Sequence, residues 1–124
     1  MSTMNLTDER FEATISKKGI TIIDFWAEWC APCKNFAPVF DAAAVELPEI
    51  TFAKVDIEAE KQLSSKMKIL AIPALVIYKD GVLFYNEPGA LDAGALRDLL
   101  HAVKEVNMDS IDANLHNHTK VGNE

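Results

Sequence analysis

The run ITIIDFWA, Ile20 to Ala27, constrains the fold of this chain more than any other stretch. Its β-branched and aromatic residues suit a pleated backbone, and apolar side chains at both parities of a strand mean burial on both faces. The expected element is a central strand covered by further layers. Asp24 is the single acid within it, a carboxyl group placed where water is expected to be excluded.

Helix and strand signals alternate along the rest of the chain. Thr7 with Asp8 and Glu9 offers an N-cap and first-turn acids, Phe11 and Ile15 lie four apart, and Gly19 can close the element, which predicts a helix over about Thr7 to Lys18. Pro32 suits a first helical turn, and Phe36, Val39, Phe40, Ala43 and Ala44 recur at helical spacing, so a helix is expected from Pro32 to Glu46, kinked at Pro38. ITFAKVDI, Ile50 to Ile57, reads as a second central strand and EAEKQLSSKMKI as a short helix. PALVIY and VLFYN are joined by Lys79-Asp80-Gly81, and Asp-Gly between apolar runs is a hairpin signal. Leu96, Leu99, Leu100, Val103 and Val106 form one stripe on a closing helix from Asp92 to Val106, with Gly94 a weak point near its start. The sum is an α/β chain with a central mixed β-sheet flanked by α-helices.

Composition narrows the function classes. A chain of 124 residues with 49% hydrophobic content supports one domain, expected over residues 1–106, followed by a polar tail at 107–124 with at most one helical turn around Ile111 to Leu115. Its 12 Lys+Arg against 19 Asp+Glu give a formal charge of −7, which argues against nucleic acid or an anionic membrane surface as partner. The start MSTMNLTDER lacks the basic and then apolar pattern of a secretory signal. The longest apolar run, ILAIPALVIY, has ten residues and a proline, about half of the roughly 20 needed to span a bilayer. A cytoplasmic protein with no membrane partner is the expectation.

Both cysteines of the chain, Cys30 and Cys33, lie in FWAEWCAPCKNF. In a reducing compartment such a pair is a metal clip or a working redox couple more often than a permanent staple. Zinc would need two more ligands. His116 and His118 in the tail are the available ones, but their H-x-H spacing is tighter than the usual H-x3-5-H, so no metal is expected. The redox reading uses the flanks as well: the chain passes from the end of a buried strand straight into a helix, placing Cys30 at the helix N-terminus. Unpaired N–H groups and the positive end of the helix dipole stabilise a thiolate there, while Cys33, one turn further in, is better shielded and near enough to close a disulfide.

Four segments in register, IIDFWAEWCAPCK, AKVDI, IPALVIYKDG and PGAL, resemble thioredoxin over roughly residues 6 to 106. The resemblance implies the thioredoxin fold and a protein-disulfide reductase or electron-donor activity through a redox-active Cys30–Cys33 disulfide. It implies Cys30 as the attacking thiol and Cys33 as the resolving one, with Trp29 beside them. Asp24 matches the buried aspartate that handles the proton of the resolving cysteine, a role that desolvation of a carboxyl group supports independently; on the residues alone it is also readable as a hydrogen-bonded aspartate at a strand end. Lys54 resembles the family's lysine near that aspartate, although a lysine reaching out from a sheet end fits the same pattern. Pro73 matches the cis-proline opposite the cysteines, and Ile72 would offer backbone hydrogen bonds to an extended substrate. Gly89 and Ala90 would complete a flat apolar docking surface with Trp29, Ala31, Pro32 and Ile72. Phe25, Phe36, Phe40 and Phe52 are assigned to the core, and Trp26 to a structural role.

By the same resemblance the chain is a monomer with no bound cofactor, serves disulfide-containing client proteins and is recharged by a flavin- and NADPH-dependent thioredoxin reductase. A thioredoxin-like protein specialised for one client and a docking subunit whose redox pair is incidental are the competing readings. The sequence departs from the family at Ala31, where W-C-G-P-C-K has glycine, at Ala71 and Ala74, where glycine and threonine are common, and at Pro88 before Gly89. These positions bear on substrate range and reduction potential.

Overall fold

A computed structural model of the chain describes residues 2–109; the turn expected at 111–115, His116 and His118 lie outside them. The elements are β1 (Thr3–Asn5), α1 (Asp8–Ile15), β2 (Ile20–Trp26), α2 (Ala31–Glu46), β3 (Thr51–Asp56), α3 (Lys61–Lys66), β4 (Ala74–Lys79), β5 (Val82–Pro88) and α4 (Ala93–Lys104). The five strands form one sheet in the order β1-β3-β2-β4-β5. β2 is its middle strand, parallel to β3 and antiparallel to β4.

Strand parity divides the core into two layers. Ile20 and Ile22 of β2, with Phe52, Leu75 and Ile77 from the neighbouring strands, face Phe36, Phe40 and Ala44 of α2 and Leu96, Leu100 and Val103 of α4. Ile23 and Phe25, with Ala53, Val55 and Val76, face Phe11 and Ile15 of α1 and Leu63 of α3. Asp24 shares the parity of Ile20 and Ile22, so it belongs to the α2 and α4 side.

The hairpin forms as the Asp-Gly signal requires. Asp80 and Gly81 both have positive φ, 52° and 82°, the signature of a two-residue turn whose twist matches that of the flanking strands. The Asp80 carboxylate also accepts the Gly19 N–H at 2.6 Å, and Asp80 N–H donates to the Gly19 carbonyl at 2.9 Å, which ties the turn to the end of the α1 connection. α4 starts one residue later than expected because Asp92 serves as its N-cap, its side chain accepting the Ala95 N–H at 2.8 Å. α1 is shorter than expected, ending at Ile15 with Ser16 as its C-cap. α2 continues through Pro38 to Glu46.

β1 has no counterpart in the sequence reading. Three residues, TMN, carry no alternation to detect, yet they pair in parallel with Phe52, Ala53 and Lys54 and cover the outer edge of β3. The C-terminal end of α4 is held by a lysine of β4 that shares the strand parity of Leu75 and Ile77 and so lies on the same face of the sheet as the helix. Lys79 Nζ donates to the carbonyls of Val103, Lys104 and Val106 at 2.9, 3.0 and 2.9 Å, satisfying groups that the helix leaves open and placing a cation at its negative end. Lys79→Met keeps the stem and removes the donors, and is expected to cost about 1–3 kcal/mol. Chemical denaturation checks this; an unchanged midpoint would show the lysine to be incidental.

Candidate active site

The site is built where β2 runs into α2. Ala27 is buried, Cys30 N–H donates to the Ala27 carbonyl at 3.2 Å, and Cys30 is the N-cap of α2, with extended backbone angles of φ −98° and ψ 105°. Its Sγ accepts the Cys33 N–H at 3.1 Å, so sulfur occupies the place that a serine or aspartate oxygen takes at other helix starts. Ala31 and Pro32 fill the first two helical positions, and Pro32 has no N–H to leave unpaired. The two cysteines form a disulfide with their Cα atoms 5.2 Å apart. Cys30 is 5% exposed and Cys33 2%, so the expected order of shielding holds by a small margin.

Around the sulfurs the other expected residues converge. Ile72 packs against the cysteine pair, its bond to Pro73 is cis, and the Pro73 carbonyl accepts the Gly89 N–H at 2.6 Å. Gly89 has φ +109°, a conformation that side-chain-bearing residues rarely adopt. Ala90 lies across a shallow groove from Pro32. Trp29 is 66% exposed, and its indole N–H donates to a Glu58 carboxylate oxygen at 3.1 Å. Trp29, Ala31, Pro32, Gly89 and Ala90 are exposed, Ile72 is half-buried and Pro73 is buried. Together they frame the disulfide with a largely apolar surface.

Behind the disulfide a cavity of about 120 Å³ connects Cys33 to Asp24 and Lys54. Asp24 is 2% exposed, and its Oδ1 has no hydrogen-bond partner among the described residues. Burial pushes its pKa up to about 7; the Lys54 ammonium pulls it down and the Asp41 carboxylate pushes it further up. Lys54 stands opposite Asp24 in the β2–β3 register, but its ion pair is with Asp41 Oδ1 at 2.9 Å, and its ammonium lies 6.0 Å from the centre of the Phe40 ring. Lys54 therefore reaches from β3 to α2, where Asp41 holds its ammonium, while its charge still acts on Asp24.

Three residues of the site were not singled out in the sequence. Asp41 follows Cys33 and Ala37 at four-residue steps along α2, a spacing that could have placed it on the cavity side. Glu58, the partner of Trp29, and Ile57, which packs against the cysteine pair, lie just past β3 and carry no local signal.

Among the described residues no group of three or more His, Cys, Asp and Glu side chains is arranged to hold a metal ion, and no helix is long and apolar enough to cross a membrane. The thioredoxin family model matches residues 2–102. A Streptomyces coelicolor protein provisionally named thioredoxin 2 is 42% identical over 110 residues, covering 89% of this chain and 82% of that protein. A thioredoxin of Chlamydia trachomatis is 38% identical over 95 residues, covering 77% of this chain and 92% of its own length. The solved thioredoxin of Plasmodium falciparum superposes with a TM-score of 0.73 at 30% identity over 81% of this chain and 97% of its own. With such relatives, a cysteine pair closed at this helix start makes the protein a thiol–disulfide oxidoreductase. The chain belongs to the thioredoxin family.

The buried carboxyl group has a measurable consequence for stability. Folded Asp24 keeps its proton up to about pH 7, whereas the unfolded chain releases it near the ordinary value of 3.8. The folded state thus binds more protons between those values, so stability falls as pH rises from about 4 to 7 and stays reduced above. Asp24→Asn removes this slope and is expected to be more stable than the wild type at pH 8 by on the order of 4 kcal/mol, with a much smaller gain at pH 4. Urea melts at the two pH values decide the point; parallel profiles for both proteins would mean that Asp24 is ionised in the folded state.

Proposed function

We propose that this thioredoxin is a general reductant of protein disulfides acting as an electron donor in the cytoplasm. The observation that carries the reading is the position of the Cys30 sulfur at the N-cap of α2, receiving the Cys33 N–H, with the Asp24 carboxyl group across the cavity behind Cys33. In the reduced protein the Cys30 thiolate attacks one sulfur of a client disulfide; a mixed disulfide forms and the other client sulfur leaves as a thiolate, which takes a proton. Asp24 accepts the Cys33 proton, directly or through water in the cavity. The Cys33 thiolate then attacks Cys30 Sγ, the second client sulfur is released as a thiol, and two electrons have passed from the dithiol to the client. Lys54, paired with Asp41, tempers the charge that Asp24 acquires.

Trp29, Ala31, Pro32, Ile72, Pro73, Gly89 and Ala90 form the client-docking surface in this reading. Family membership supports recharging by thioredoxin reductase, and disulfide-bearing proteins as the clients; the flavin and NADPH belong to that reductase, and this chain needs no bound cofactor. Residues 1–106 act as one domain and as a monomer, with 107–124 as an appended tail.

Two outcomes test the assignment. Cys30→Ser is expected to abolish insulin reduction, while Cys33→Ser still attacks and accumulates mixed disulfides visible on a non-reducing gel. The reverse pattern would exchange the roles of the two thiols. The direction of electron flow rests on Ala31 and Pro32, which offer no side-chain donor to stabilise the Cys30 thiolate strongly. The potential is therefore expected within a few tens of millivolts of about −270 mV, a reference value for thioredoxin itself and not a quantity derived from this geometry. Equilibration with glutathione measures it, and a value near the roughly −120 mV of a strong oxidant would overturn the reductant reading.

A further inference from the structure

We propose that Leu70 forms a specificity ridge beside the disulfide, selecting client segments that carry an apolar side chain and a carboxylate a few residues from the reacting cysteine. The inference rests on the disulfide-reductase reading and adds a client preference to it. Leu70 is 97% exposed, the most exposed large hydrophobic side chain among the described residues. Its exposure is not that of a loose loop. Ile69 N–H donates to the Ser64 carbonyl and Lys68 N–H to the Ser65 carbonyl, both at 3.0 Å, fastening the segment to the end of α3. Ile69 packs into the core on one side of Leu70, and Ile72 packs on the cysteine pair on the other. The backbone is thus pinned on both flanks while an apolar side chain points into solvent, at a cost that burial against a partner would offset.

The ridge separates two grooves. One, of about 500 Å³, is lined by Ile57, Ser64, Lys61 and Lys68 as well as Leu70; Ile57 also packs against the cysteine pair, so this groove shares a wall with the site. The other, of about 220 Å³, lies between Leu70, Ala74 and Pro88 and borders the Pro73 loop. Leu70 lies two residues before Ile72, so at most about 7 Å of chain separates it from the residue that packs on the cysteines. An extended client lying along Ile72, at about 3.3 Å per residue, passes it within a few residues of its own cysteine.

Charge decides the second half of the preference. The chain carries a formal charge of −7, yet two lysines line the larger groove. Lys61 is 4.0 Å from Glu58, and Lys68 has no ion pair among the described residues. A carboxylate on the client meets a cation here, and the contact is one that salt should screen.

The test compares two synthetic peptides, each with one cysteine held in a disulfide to a chromogenic aromatic thiol. One carries Leu-Asp two positions from the cysteine and the other Ser-Asn. A small symmetrical aromatic disulfide serves as the third substrate. The wild type is expected to favour the Leu-Asp peptide by roughly tenfold in kcat/KM at low salt. Leu70→Ser should bring the ratio between the peptides down to about threefold or less. Lys68→Asn, chosen because asparagine tolerates the φ of +59° at this position, should lower the ratio about twofold and flatten its salt dependence. The ratio is internal to each protein, so a variant that is partly unfolded still reports it. Equal rates for the two peptides in the wild type, or a ratio unmoved by Leu70→Ser, would overturn the proposal while reduction of the small disulfide upholds the reductase reading. Failure to reduce the small disulfide would overturn both.

Discussion

A strand with neither a free edge nor a free face sets the terms for the rest of this molecule. β2 is hydrogen-bonded to β3 on one side and β4 on the other, and both of its faces are covered by helices. From Thr21 to Phe25 it is paired on both sides, so it cannot slide or turn over without exposing one apolar layer or the other. That rigidity fixes the point at which the chain leaves the sheet, and with it the first turn of α2 and the Cys30 sulfur. It also buries Asp24 at a parity that faces α2 and not water.

Burying a carboxyl group is costly, and the surroundings of Asp24 show how the cost is divided. Desolvation raises its pKa to about 7, in the range where a proton acceptor is useful to a thiol; Lys54 opposes that rise and Asp41 reinforces it. Because Asp41 holds the lysine ammonium at 2.9 Å, the lysine tempers Asp24 without forming an ion pair that would keep it permanently ionised. The same burial that lowers stability above neutral pH keeps the carboxyl group's affinity for a proton near neutral pH. A stronger pairing with Lys54 would stabilise the fold and hold the group ionised.

The elements legible in the chain were those whose signal is local. Asp80-Gly81 announced the hairpin because a turn with two positive φ values, which Asp-Gly accommodates readily, fits the twist of the flanking strands. The stripe on α4 and the apolar run of β2 announced their burial by period alone. β1 was illegible because three residues carry no period, and its pairing with β3 depends on where the chain happens to pass. Asp41, Glu58 and Ile57 were overlooked for a related reason: each matters through a partner far away in sequence, Lys54, Trp29 and the cysteine pair respectively.

What the sequence by itself determined is the chemistry on offer: a cysteine pair at a helix start, a carboxyl group in an apolar strand, and alternating elements that close into a mixed sheet, since dihedral preferences, periodicity and ionisation are properties of residues and their near neighbours. What only the tertiary structure decided is how those groups meet. It placed a cavity between Cys33 and Asp24, set Lys54 against Asp41, gave Trp29 its anchor on Glu58, and left Leu70 in solvent between two grooves. Those outcomes depend on distances between segments remote in the chain, and such distances are set by the packing of the whole core.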